Sequence, residues 1–264
     1  MLRYDAAWLI EWYCEEMAEA GVPYARLAGE GPFEIRREPG EFQFTQAVDV
    51  TPQLAYDETV VRLARFEAGT LWVQPCPYSA GIRSNYAMDG PGELRATLRA
   101  EYGGRLPPLS DARLSNGIGT AVVVFDGAGR PYLPRRAPRQ SVFPDGYHCT
   151  ASGEAVWWDG ALSFEALFTA NICRELEEEV GLVRTDLDWI RPVAFCREFL
   201  RGGKPQFFFA ARTKLSEDEL GVRRRAAIAR QIAAGRQEVM DEALFEARPE
   251  LCTLECAANL ALAG

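Results

Sequence analysis

Arg174-Glu175-Leu176-Glu177-Glu178-Glu179-Val180-Gly181-Leu182 packs a helix, its stop signal and a concentration of carboxylates into one short run. At about 100° per residue, Glu175, Glu178 and Glu179 fall within an arc of roughly 100°, beside an apolar arc of Ile172, Cys173, Leu176 and Val180. Like charges at three- and four-residue spacing repel by roughly a few tenths of a kcal/mol each, so helix stability gives no reason to gather them. A hard divalent cation does give one, because Mg²⁺ takes carboxylate oxygens together with waters and substrate phosphate oxygens. A solvated acidic helix face is the alternative, and on charge alone it is the better one.

Working outward, the helix spans about Phe164 to Val180, with Ser163 as its N-cap and Gly181 ending it. Before it lie a β-hairpin, Thr120 to Phe125 and Pro131 to Leu133 across Asp126-Gly127-Ala128-Gly129, and a strand around Tyr147 to Thr150. After it, Val193 to Phe199 and Pro205 to Arg212 form a second hairpin across Arg201-Gly202-Gly203, and the rest reads as helix: Ser216 to Gln237, interrupted near Gly221, and a segment from Glu250. Gly103-Gly104 and Pro107-Pro108-Leu109-Ser110-Asp111 are a breaker cluster, so domains are expected at 1–112 and 113–264. Within 1–112 the periodicity predicts an amphipathic helix over Tyr4 to Ala20, a small antiparallel sheet from Phe33-Glu34-Ile35, Phe42-Gln43-Phe44, Thr59 to Leu63 and Thr70 to Val73, and a short helix from Gly92 to Glu101.

Seven positions of the central stretch, Arg174, Glu175, Leu176, Glu178, Glu179, Gly181 and Leu182, fit the second half of the Nudix box, G-x5-E-x7-R-E-U-x-E-E-x-G-U with U aliphatic. The chain thus resembles the Nudix hydrolases. The first half departs from the pattern. Gly160 stands at the box distance but Ala166 occupies the glutamate slot, with Glu165 one residue early; alternatively Gly153 is the box glycine, Asp159 fills the acidic slot and an insertion carries Trp157 and Trp158. The insertion is preferred, since Cys149-Thr150-Ala151-Ser152-Gly153 reads like the strand entering a Nudix box; Glu165 or Asp159 then substitutes for the missing glutamate. From Leu114 onward, Gly117-Ile118-Gly119-Thr120, Arg135-Arg136, Leu167-Phe168, Gln206-Phe207-Phe208-Phe209 and Glu250-Leu251-Cys252 also resemble, more weakly, a two-domain branch of the family acting on UDP-hexoses.

The resemblance implies an α+β fold, an α/β/α sandwich around a mixed sheet, here preceded by a smaller α+β domain. It implies Mg²⁺ or Mn²⁺ held by Glu175, Glu178 and Glu179, and cleavage of a nucleoside diphosphate joined to another group, with a UDP-sugar giving UMP and sugar 1-phosphate as the leading substrate. Glu178 is the expected carboxylate that orients or deprotonates the attacking water, with Glu175 beside it and Arg174 bracing both. Arg135 and Arg136 are candidates for phosphate or uracil oxygens, because guanidinium forks suit both, though exposed arginines at a hairpin end serve equally well as a reading. A non-catalytic Nudix module binding a nucleotide or protein, and an ADP-ribose or dinucleotide pyrophosphatase, are the rival functions. His148, the one histidine, is expected to be structural and partly buried; one of Trp157 and Trp158 is expected in the core, and Arg223-Arg224-Arg225 on a solvated helix face.

Composition narrows the partners. The 264 residues are 48% hydrophobic and carry 29 Lys plus Arg against 38 acids, for a net charge of -9. Counterion release onto nucleic acid, or adhesion to an anionic membrane, is not expected of such a chain. No apolar run reaches the roughly 18–20 residues of a membrane span, and Met1-Leu2-Arg3-Tyr4-Asp5 has no signal-peptide character, so a cytoplasmic location is expected. The seven cysteines form no Cys-x-x-Cys pair; Cys252 and Cys256 share a helix face but lack further ligands, so buried thiols are expected rather than zinc. The expected partner is a small nucleoside diphosphate derivative, and a homodimer is left open.

Overall fold

A computed structural model describes residues 10–12, 23–42, 57–90, 92–109, 111, 113–138 and 144–264. In chain order the strands and helices before the expected boundary are β1 (Ile10–Trp12), β2 (Tyr24–Ala28), β3 (Glu34–Arg37), β4 (Thr59–Glu67), β5 (Thr70–Pro77), α1 (Tyr78–Ile82) and α2 (Leu94–Glu101). Then follow β6 (Gly119–Phe125), β7 (Pro131–Arg136), β8 (Ala151–Glu154), α3 (Ala170–Val180), β9 (Leu187–Glu198), β10 (Lys204–Thr213), α4 (Glu217–Ala233), β11 (Val239–Leu244) and α5 (Leu254–Ala263). No helix among the described residues is long and apolar enough to cross a membrane.

The large sheet runs β1-β2-β9-β10-β6-β7-β11, with β8 also paired to β6. It is mixed: β10 runs parallel to β6, with Gln206 opposite Gly119, and antiparallel to β9. Side chains of a strand alternate between faces, and β10 is apolar on both. Phe207 and Phe209 join Val122, Val124 and Phe195 on one face, where α3 contributes Ile172, Leu176 and Val180 and α4 contributes Leu220. Phe208 and Ala210 join Ala121 and Val123 on the other, under Cys256 and Ala258 of α5. Helices thus cover both faces of a mixed sheet, and the fold class is α+β.

A second sheet, in the order β3-β5-β4, packs into the first core through Val61, Leu63, Leu71 and Val73. The Val61 N–H donates to the Ala155 carbonyl at 2.7 Å, the Ile118 N–H donates to the Val61 carbonyl at 2.8 Å, and the Ala155 N–H donates to the Ile118 carbonyl at 2.9 Å. Residues on both sides of position 112 therefore share one core. This small sheet is not all antiparallel as expected: β4 and β5 form a hairpin, but β3 runs parallel to β5 because the chain between them is long enough for a crossover.

Other expectations shift as well. Ile10–Trp12, inside the expected N-terminal helix, is a strand paired in parallel with Tyr24–Arg26; the remainder of Tyr4 to Ala20 lies outside the described residues, as do Gln43 and Phe44 of one expected strand. The strand before the central helix starts at Ala151 rather than Tyr147, which makes only isolated bridges to Arg135 and Cys252. Gly221 does not interrupt α4: Ser216 caps that helix by accepting from the Glu219 N–H, and Gly221 lies buried within it. Strand β11 was not expected, since Val-Met-Asp-Glu-Ala-Leu pairs its apolar and acidic residues instead of alternating them; it is an edge strand on β7.

Candidate functional site

The Ser163 hydroxyl accepts from the Ala166 N–H at 3.1 Å, and the chain then winds through a π-helical turn, Glu165–Thr169, into α3. Such wide turns recur at functional sites. At the far end Gly181 takes φ 76°, so that its N–H reaches Glu177 and the Leu182 N–H reaches Leu176. A Cβ there would lie 2.7 Å from the Arg223 carbonyl, so glycine is what lets α4 approach the end of α3. Between these fixed ends Ile172, Leu176 and Val180 are buried, and the same packing turns Glu175, Glu178 and Glu179 toward a cavity of about 720 Å³. That volume lies within the roughly 300–1,000 Å³ of small-molecule sites.

The three carboxylates stand at graded depth: the Glu178 side chain is 39% exposed and that of Glu175 13%, while Glu179 is buried. The Ser152 N–H donates to Glu179 Oε1 at 3.0 Å. Glu175 fits where Gly153 has no side chain; a Cβ on Gly153 would lie 2.5 Å from its Cδ. Arg174 donates to Glu175 Oε1 at 2.9 Å and to Glu178 Oε1 at 3.4 Å. Its Nη2 also donates to Asn171 Oδ1 at 3.0 Å, while Asn171 Nδ2 donates to Thr120 Oγ1 at 3.1 Å. Burial pushes the Glu175 carboxyl up to about 7, Arg174 opposing the shift and the charges of Glu178, Glu238 and Glu58 adding to it. Burial and then Glu238 and Glu175 hold the Glu179 carboxyl well above the ordinary range, and burial also raises Glu238.

Cations and further polar groups complete the walls: Arg136 at the end of β7, Arg201 and Lys204 at the β9–β10 turn, and Arg236 after α4. Arg201 pairs with the buried Glu198 at 3.4 Å; burial alone would lower its proton affinity, but Glu198 together with Tyr86, Glu255 and Tyr24 more than reverses this. Tyr86, from the segment before position 112, donates its hydroxyl to Glu154 Oε1 at 2.7 Å.

The cavity gathers Arg174, Glu175, Glu178, Glu179 and Arg136 of the residues singled out from sequence, but not Arg135. The Arg135 guanidinium is turned to the surface, where it binds Glu242 at 2.8 Å and stands 3.6 Å from Asp145; successive residues of a strand point to opposite sides. Gly153 is on the cavity and Gly160 is not. Neither substitute for the missing glutamate reaches it: Glu165 is exposed, and Asp159 accepts the Trp157 indole N–H at 2.8 Å. Asn171 braces Arg174 instead. His148 also lines the cavity but is only 4% exposed, held between Thr253 Oγ1 at 2.6 Å and Ser152 Oγ at 3.0 Å, and burial with Arg136 and Arg201 nearby depresses its basicity far below the usual value. Trp157 packs on the core and Trp158 is 60% exposed. Arg224 departs from the expected solvated run: it is buried, donating to the Tyr132 hydroxyl and to Asp241.

Sequence reasoning missed Glu58, Glu154, Glu238, Arg201, Lys204 and Arg236, which come from strands and turns far apart in the chain. One signal was available: the chain has two lysines, and Lys204 stands just before the apolar run Phe207 to Ala211.

Among the described residues no three Asp, Glu, His or Cys side chains are already gathered as a metal cage. The donor set nevertheless suits a hard cation that relies on few protein ligands and completes its shell with water and phosphate oxygens, since Glu175 and Glu179 are buried carboxylates with like-charged neighbours. No protein-family model and no curated protein matches the chain. Among solved structures it is similar to DR0079 from Deinococcus radiodurans, with 20% identity over 47% of this chain and 77% of that one and a TM-score of 0.30. It is also similar to a MutT protein from Methanosarcina mazei Go1, with 14% identity over 49% of this chain and 75% of that one and a TM-score of 0.27.

Proposed function

We propose that the protein is a Nudix-type pyrophosphohydrolase that cleaves the diphosphate of a nucleoside diphosphate joined to another group, with a UDP-sugar giving UMP and sugar 1-phosphate as the leading substrate. The observation that carries this reading is the cavity wall in which Glu175, Glu178 and Glu179 face a space also lined by Arg136, Arg201, Lys204 and Arg236. Carboxylates alone would repel a diphosphate, and cations alone would bind one without a means of cleaving it. Glu175, Glu178 and Glu179 are the residues that would hold Mg²⁺ or Mn²⁺, which when bound supplies charge neutralisation on the diphosphate and a more acidic water. Glu178, the most exposed of the three, orients or deprotonates the attacking water. Arg174, anchored by Asn171, keeps Glu175 and Glu178 apart and in place. Arg136 grips phosphate oxygens. We assign the protein to the cytoplasm, where nucleotide sugars and Mg²⁺ meet.

The test is product release from a panel of UDP-glucose, ADP-ribose and dinucleotides with Mg²⁺ or Mn²⁺. Turnover of UDP-glucose is expected, with kcat lowered about a hundredfold or more in Glu178→Gln. Absence of turnover on every member, with the variant and the parent alike, would leave a binding module as the better reading.

A further inference from the structure

Lys204 is one of two lysines in the chain, and it is 2% exposed with its ammonium on the cavity. Its ion pair is with Glu154 Oε1, at 3.6 Å, which is too long for a hydrogen bond. The Glu154 side chain is itself 9% exposed. Its Oε1 receives the Tyr86 hydroxyl, but its buried Oε2 has no hydrogen-bond partner. A buried carboxylate oxygen left unpaired costs free energy and calls for an explanation, of which a ligand group is one. Two glycines make room for the pair: a Cβ on Gly119 would press on Gln206 Oε1 and lie 2.6 Å from Lys204 Nζ, and one on Gly117 would press on Glu154 Oε2, so a side chain at either position would displace these polar ends from the place where Lys204 and Glu154 line the cavity.

The chemistry of the occupant follows from the signs of the groups. A phosphate here would face the Glu154 carboxylate, and an ammonium would face Lys204 and Arg201. A hydroxyl both donates and accepts, so two adjacent hydroxyls can donate to Glu154 Oε2 and accept from Lys204 Nζ together. We propose that Lys204 and Glu154 form a subsite for a vicinal diol, holding either the sugar joined to the diphosphate or the ribose of the nucleoside. The proposal rests on the hydrolase reading for the placement of a diphosphate at the α3 wall. The Tyr78 and Tyr86 rings stand 6.3 Å apart in the same wall; the Arg201 guanidinium lies 5.0 Å over the Tyr86 ring, and the Tyr78 ring offers an apolar face to the C–H side of a sugar.

The test is titration calorimetry in EDTA with two ligand pairs, UDP-glucose against the methyl ester of UDP, and UMP against 2′,3′-dideoxy-UMP. In one pair the ligand that carries the tested diol, that of the sugar or that of the ribose, is expected to bind roughly tenfold to a hundredfold tighter than the counterpart that lacks it. Glu154→Gln, which keeps the shape, and Lys204→Met are expected to erase that preference while the counterpart binds as before. A preference in the first pair assigns the subsite to the sugar, and in the second to the ribose. Equal binding within both pairs, a preference that survives in Glu154→Gln, or no binding of any ligand would overturn the subsite. If Lys204→Met does not fold, Glu154→Gln decides alone. Hydrolysis of UDP-glucose without a diol preference removes the subsite and leaves the hydrolase; a diol preference without metal-dependent hydrolysis does the reverse.

Discussion

Replacing Glu175 by Gln tests whether the carboxylate wall is built for a cation at the expense of stability. In the folded chain this carboxyl titrates at about 7 against an ordinary 4.5, chiefly because burial disfavours its charge. The folded state therefore holds the proton more tightly than the unfolded state. The stability this contributes is complete below about pH 4.5 and is lost as pH rises through about 7. At roughly 1.4 kcal/mol per tenfold change in proton affinity, the metal-free protein at pH 8 is about 3 kcal/mol less stable through this group than at pH 4.5. Gln keeps the shape and cannot ionise, so Glu175→Gln is expected to be about 3 kcal/mol more stable than the parent at pH 8 in EDTA, and nearly equal to it at pH 4.5. Glu179 is held high partly by Glu175, so the exchange relieves it too, and the effect has the same sign. For a chain of this size the difference is roughly 6 °C in melting temperature. Melting curves between pH 4.5 and 8.5 in EDTA, repeated with Mg²⁺, make the measurement. Mg²⁺ should raise the parent at pH 8 and leave the variant nearly unmoved. A variant no more stable than the parent at pH 8 would refute the reasoning, because the buried carboxylate would then carry no electrostatic penalty.

Two further substitutions probe the supports of the same wall. Gly181→Ala must place a Cβ at a left-handed φ and close to the Arg223 carbonyl, so it is expected to cost about 2 kcal/mol or more in urea denaturation; a loss under about 0.5 kcal/mol would mean that α4 does not seat against the end of α3 as described. Asn171→Ala removes the acceptor that anchors Arg174, and kcat/KM on the best substrate is expected to fall about tenfold with Asn171→Asp recovering part of it; equal losses in both variants would assign Asn171 to packing instead.

The local features of this site were readable in the sequence, and the distant ones were not. Helix α3 follows from the spacing of Ile172, Leu176 and Val180, its stop from Gly181, and its three carboxylates from their own spacing, because all of these lie within one helix. The turn between β9 and β10 follows in the same way from Gly202 and Gly203, both at positive φ. Glu58 and Glu238 raise the Glu175 carboxyl from strands or turns many residues away, and no local pattern marks either one. Arg135 and Arg136 were indistinguishable as a pair; the strand alternation of β7 separates them, and its phase depends on pairing with β6 and β11. Ala166 in the glutamate slot looked like a loss, yet Asn171, one turn before Arg174, supplies an acceptor from within the same helix.

The two signs of charge in the cavity are encoded differently, and this bears on how such a site can vary. The carboxylates come from one helix, so any sequence that keeps the Arg174 to Leu182 pattern presents them, whatever surrounds it. The cations depend on sheet register. Lys204 stands opposite Glu198 and Gln206 opposite Gly119 because β10 pairs with β9 and β6 as it does, and a slip of one residue would carry Lys204 to the other face and put Pro205 in its place. Register here is pinned by Phe207, Phe208 and Phe209, which fill the cores on both faces and leave no freedom to slip. The packing of the sheet thus fixes the groups that would recognise what is joined to the diphosphate, while the helix fixes those that would act on the diphosphate itself. If the proposed function holds, substitutions at the β9–β10 turn would change the ligand without disturbing α3, and substitutions on α3 would end catalysis without changing the ligand.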